Sequence, residues 1–154
     1  MNRFFVLVVL LTIITGLSAK TKQLNNFTEI IDNLMQGEQV RVVIHYGDCV
    51  LMIDGEETSS PDAVGGMNID AFEYFAPGSV GNEMAYVVFS KTKLINLGGY
   101  VYNYAKLRVF ADGKVEITAQ YTDPRTFEIS MDETFISEIN DNENEGAVFF
   151  FLLK

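Results

Sequence analysis

Two hydrophobic periods divide this chain. In "LNNFTEIIDNLMQG" (24–37), Phe27, Ile30, Ile31 and Leu34 recur at the i, i+3, i+4, i+7 spacing of one helical face; Asn25 or Asn26 stands ready to cap the start and Gly37 to end it. From Gly37 onward the period is two. Runs rich in Val, Ile, Tyr and Phe lie at about 39–46, 49–54, 69–76, 84–92, 99–110, 114–121, 125–132 and 147–153, divided by the turn signals Gly47-Asp48, Asp54-Gly55, Pro77-Gly78, Asp112-Gly113 and Asp123-Pro124. The pattern predicts a mainly β fold: an antiparallel meander or small barrel of seven to eight strands with one N-terminal α-helix, closure being the way to remove exposed edges. The alternative is an open, strongly twisted sheet with the helix on one face. The longest irregular stretch is "GEETSSPDAVGG" (55–66), and "SEINDNENEG" (137–146) is the one polar, acidic patch.

Turn chemistry predicts which residues meet. A two-residue loop at Asp112-Gly113 would put the apolar residues of 114–121 on the face of Lys106 and Arg108. A three-residue loop, with Gly113 in the left-handed conformation, pairs Val109 with Val115, Leu107 with Ile117 and Ala105 with Ala119, and sets Arg108 opposite Glu116 on the other face. In that register Tyr100, Tyr102 and Tyr104 join Lys106 and Arg108 on the outer face, a candidate contact surface. Asn103 falls inside, opposite Tyr121, where its amide must find a partner or line a cavity.

The only histidine and the only cysteine stand four residues apart in "VRVVIHYGDCVLMID". Gly47-Asp48 suits a two-residue hairpin loop, which would pair Tyr46 with Cys49, Ile44 with Leu51 and Val42 with Ile53. His45 then points outward beside Arg41 and Asp54, while Tyr46 and Cys49 face in. A nucleophile pair needs the imidazole within hydrogen-bond reach of the thiol, and structural zinc needs more ligands. The sequence therefore predicts no catalytic residue, no metal and no cofactor. "DNENEG" (141–146) imitates the start of a calcium loop, but Leu152 stands where a bidentate Glu is required. Asp70 with Glu73, and Asp132 with Glu133, have the spacing of ordinary surface acids.

Composition changes the picture in four respects. Residues 1–19, "MNRFFVLVVLLTIITGLSA", place Arg3 before an apolar run and then small residues, the order of a signal peptide. The run Phe4 to Ile14 is too short to span a bilayer, which takes roughly 20 apolar residues. We therefore expect a secreted or periplasmic protein, a single β-rich domain over 20–154, and no membrane association after cleavage. Asn26-Phe27-Thr28 is a glycosylation sequon in a eukaryotic source, with Asn26 the acceptor. A lone cysteine in an oxidising compartment makes no internal disulfide. The net charge of −10 also argues against nucleic acid as a partner.

The segments "VRVVIHYGDC", "DAVGGMNIDAFEYF", "YVVFSKTKLI", "YVYNYAKLRVFADGKVEITAQYTDP" and "FEISMDETF" together resemble the VirK family of small secreted bacterial proteins, over about residues 24–150. The resemblance implies a signal-bearing single domain, sometimes linked to virulence, with no established activity and no functional residues to carry over. The residues themselves favour a non-enzymatic binding domain for a small apolar ligand or a partner protein, with Tyr46, Cys49, Asn103 and Tyr121 as the interior candidates. Two other readings stay open: an extracellular hydrolase using acids of the 55–75 region, and an interaction or inhibitor module using the outer tyrosines.

Overall fold

The computed structural model describes residues 21–154; the expected signal peptide lies outside the described residues. The apolar stripe forms α1 (Phe27–Met35), with Ile30 and Leu34 buried. Asn26 caps it: the Glu29 N–H donates to Asn26 Oδ1 at 2.9 Å, and Glu29 in turn accepts from the Asn25 N–H. The strands are β1 (Lys22–Leu24), β2 (Val40–His45), β3 (Val50–Ile53), β4 (Glu56–Thr58), β5 (Val64–Asn68), β6 (Glu73–Phe75), β7 (Tyr86–Asn96), β8 (Tyr100–Phe110), β9 (Lys114–Thr122), β10 (Ile129–Glu138) and β11 (Val148–Leu152).

These strands build two antiparallel sheets rather than a barrel. The smaller has the order β1-β11-β2-β5; the larger runs β4-β3-β10-β9-β8-β7-β6, with the stretch from β6 to β10 a simple meander. Val42, Ile44, Val148 and Phe150 of the small sheet share one core with Val87, Phe89, Leu107, Val109, Ile117 and Phe135 of the large one. Phe89 meets Phe150 edge-to-face across the gap, with ring centroids 6.4 Å apart. At one corner the sheets touch through the Ile139–Val148 pairing. At the other, β5 pairs only with β2 and β6 only with β7, so closure fails there.

The β8–β9 hairpin has the register its turn chemistry predicts. Gly113 sits at φ 91°, and Val109 faces Val115, Leu107 faces Ile117, Asn103 faces Tyr121 and Arg108 faces Glu116. The β2–β3 hairpin, in contrast, does not exist. Val42 pairs with Phe150 and Met67, and Ile44 with Val148 and Gly65. Both edges of β2 are therefore occupied, and β3 has none to join. Instead Tyr46–Asp48 form a 3-10 turn that carries the chain into the large sheet, where Leu51 pairs with Phe135 and Thr58.

Other boundaries move for local reasons. The expected strand at 125–132 starts only at Ile129, because Asp123 accepts from the Arg125 and Thr126 N–H groups and holds a tight turn. The expected loop 55–66 contains β4 and the start of β5, whose two glycines hide its strand character. The run at 69–76 supplies only β6.

Gly113 tests the register directly. Gly113→Ala places a Cβ at a positive φ and is expected to destabilise the fold by about 1–2 kcal/mol, read as a lower denaturant midpoint with an unchanged slope. An unchanged midpoint would mean that this turn is not set by Gly113.

Candidate functional site

Where the sheets part, they leave a cleft of about 250 Å³ lined by Ile44, Tyr46, Gly65, Met67, Lys91, Lys93, Asn103, Ala105 and Tyr121, among others. It is built by the inward rows of the large sheet. Lys93, Asn103, Tyr121 and Met131 stand side by side on four adjacent strands, and Lys91, Ala105, Ala119 and Glu133 form the next row. Asn103 therefore takes the second of its two expected roles, and lines a cavity. The small sheet's side is set by Tyr46, whose ring meets Phe135 edge-on with centroids 4.9 Å apart.

Tyr46 reaches this position because of Gly65. A Cβ there would lie 2.8 Å from Tyr46 Cε2, closer than real side chains approach, so only glycine lets the ring lie across β5. Backbone bonds fix the turn below it: the Tyr46 N–H donates to Ala63 O at 2.9 Å and the Cys49 N–H to Tyr46 O at 3.0 Å. Burial pushes the Tyr46 phenol up to about 12, with smaller contributions from Cys49 and the neighbouring Tyr121. It is a neutral hydroxyl at physiological pH.

The cleft thus brings together three of the four interior candidates, Tyr46, Asn103 and Tyr121. Cys49 is buried nearby but does not line it. Its thiol donates to the His45 carbonyl at 3.4 Å, and burial raises its pKa even though Ser137 partly offsets the effect. The His45 ring packs on Phe149 at 5.0 Å, on the outer side of the small sheet. So histidine and cysteine do face opposite ways, although no hairpin separates them. Sequence reasoning missed Lys91 and Lys93. The alternation of β7 carried the signal, since both continue the inward row of Val87 and Phe89.

The outer tyrosines lie where the register puts them. Tyr102 shares a row with Leu94, Thr122 and Ile129, and Tyr100 is 64% exposed beside the hairpin end. A larger hollow of about 530 Å³ opens on this same outer face around Tyr86, Arg108, Phe110, Lys114 and Glu116. Its charges already answer one another: Glu116 lies 3.7 Å from Arg108 and 3.8 Å from Lys114, and Arg108 stacks over Tyr86.

The acids proposed for hydrolysis do not converge. Glu56 and Glu57 lie on β4 and Glu73 on β6, the two opposite edges of the large sheet, with five strands between them. Asp70 is ion-paired with Lys91. In the calcium-like segment, Asp141 accepts from the Glu143 and Asn144 N–H groups, which lowers its pKa and makes it a turn anchor. Among the described residues no three His, Cys, Asp or Glu side chains gather as a metal site. Asn26 is exposed, with its carbonyl oxygen committed to the helix cap.

With the fold and cleft defined, comparison with known proteins gives the family. The VirK protein family model matches residues 23–127. The chain belongs to the VirK family. It is also similar in fold to a VirK family protein from Legionella pneumophila known from its crystal structure, with 16% identity, a TM-score of 0.61, and coverage of 84% of this chain and 98% of that one. No curated protein matches the sequence. At that identity the likeness establishes architecture and not activity.

The Tyr46 environment predicts a pH effect. Its pKa is 10.0 as a free phenol and about 12 in the fold, so the folded state holds its proton more tightly. The stabilisation is complete below pH 10 and is lost as pH rises towards 12. Phenolate absorbance should show one late-titrating tyrosine that Tyr46→Phe removes; titration of every tyrosine near the free value would refute the burial.

Proposed function

We propose that this VirK family member is an exported, non-enzymatic binding domain that takes a small molecule into the cleft between its sheets. The observation that carries this reading is the convergence of Tyr46, Asn103 and Tyr121 from two sheets on one hollow. Among the described residues, neither phenol nor the amide has a side-chain hydrogen-bond partner. All three are half-buried and open to the cleft, where a ligand or water completes them. The volume of about 250 Å³ falls below the roughly 300–1,000 Å³ of drug-sized sites, which favours a compact ligand. Its walls are mixed: Ala105 and Val64 supply apolar surface, backed by the buried Ile44 and Met67.

Native mass spectrometry of the protein purified from its own source tests this. An added small-molecule mass is expected, and Ala105→Phe, which fills the cleft from the middle of β8, should abolish it. A bare chain in the wild type, or an adduct that survives the substitution, removes the cleft as the binding site. The same spectrum checks export, since a mature chain should begin near Lys20; an intact Met1 terminus would contradict it.

One observation favours a partner surface as a second reading. Leu94 (54% exposed), Ile129 (53%) and Tyr100 (64%) stand together on the outer face around Tyr102, with Leu97 at the hairpin end.

A further inference from the structure

We propose that the ligand of this cleft carries a carboxylate, held by the Lys93 ammonium and the hydroxyl and amide donors of Tyr46, Tyr121 and Asn103, with its apolar body against Ala105 and Val64. The inference rests on the binding role of the cleft and specifies its chemistry.

Charge points to it first. The chain has 21 acids against 11 Lys and Arg, yet the cleft is lined by two lysines and by no carboxylate. Lys91 is neutralised by Asp70 from the link between β5 and β6. Lys93 has no ion-pair partner among the described residues. The inward carboxylate of Glu133 faces Ala119 in the neighbouring row and does not line the cleft. Distant acids matter little, because screening at physiological salt has a length of about 8 Å.

Donor chemistry points the same way. An ammonium donates only, and a phenol kept protonated by burial offers its O–H to an acceptor. Asn103 supplies an N–H group between Lys93 and Tyr121 on adjacent strands. An anionic acceptor satisfies all of them at once, with hydrogen bonds strengthened by charge. A cationic head would meet Lys93 instead, and a purely apolar ligand would leave Lys93, Tyr46, Asn103 and Tyr121 without a partner.

Calorimetric titration of the protein with octanoate, and with octanol as the uncharged match in length, tests the assignment. Octanoate is expected to bind at least tenfold more tightly than octanol. Lys93→Gln, at an exposed position that leaves the core untouched, should weaken octanoate about tenfold and octanol by much less, the loss expected of one charge-assisted contact. Equal binding of the two ligands, or octanoate affinity indifferent to Lys93→Gln, overturns the carboxylate assignment while the cleft stands as a binding site. Absence of binding by both ligands overturns the assignment together with the cleft.

Discussion

The double pairing of β2 governs this structure. Its five backbone partners on β11 and five on β5 satisfy both of its edges, so the chain cannot turn back on itself after His45. Unpaired backbone groups are costly to bury, and a β3 that folded against β2 would have displaced one neighbour. The chain instead changes sheets through the Tyr46–Asp48 turn. That crossing lifts Tyr46 out of the small sheet and sets it against Phe135 of the large one. Everything distinctive about the cleft follows: the ring needs Gly65 beneath it, the glycines narrow the β5 side, and the inward row of β7 to β9 stays uncovered beyond it.

The two halves of the sandwich consequently do different work. Where β2 and β11 cover the large sheet, the inward rows are Val87, Phe89, Leu107, Val109, Val115 and Ile117, all buried. Apolar burial of this kind, at about 25 cal/mol per Å², supplies the stability of a chain that has no disulfide. Past the edge of β5 the same strands turn inward with Lys91, Lys93, Asn103 and Tyr121. Lysine is tolerated there because its stem packs on apolar surface while its head reaches water.

What the sequence reveals here depends on distance along the chain. The β8–β9 register rests on neighbours that a three-residue loop joins, and alternation plus one glycine determine it, down to Asn103 opposite Tyr121. The helix is equally local. The partners of β2 are not: Phe150 and Val42 are separated by most of the domain, and no turn signal announces their pairing. Gly47-Asp48 has the composition of a hairpin loop, but local chemistry yields when both edges of a strand are claimed from elsewhere. The inward face of Tyr46 and Cys49 was legible because it depends on alternation; their pairing was not, because it depends on topology. The lysines of the cleft were hidden for a related reason. They continue an apolar row into a region whose exposure only the length of the opposing sheet decides.

The family match and the fold match differ in extent. The VirK model stops at residue 127, before β10 and β11, whereas the likeness to the Legionella pneumophila structure extends over 84% of the chain. Those last strands cannot be optional. β11 lies between β1 and β2, and β10 joins β3 to the meander and carries Phe135. Without them the small sheet loses its second strand, β2 regains a free edge, and Tyr46 loses the ring it packs on. The matched segment, by comparison, contains Tyr46, Gly65, Lys93, Asn103 and Tyr121, so the cleft lies within the part of the chain that the family model describes.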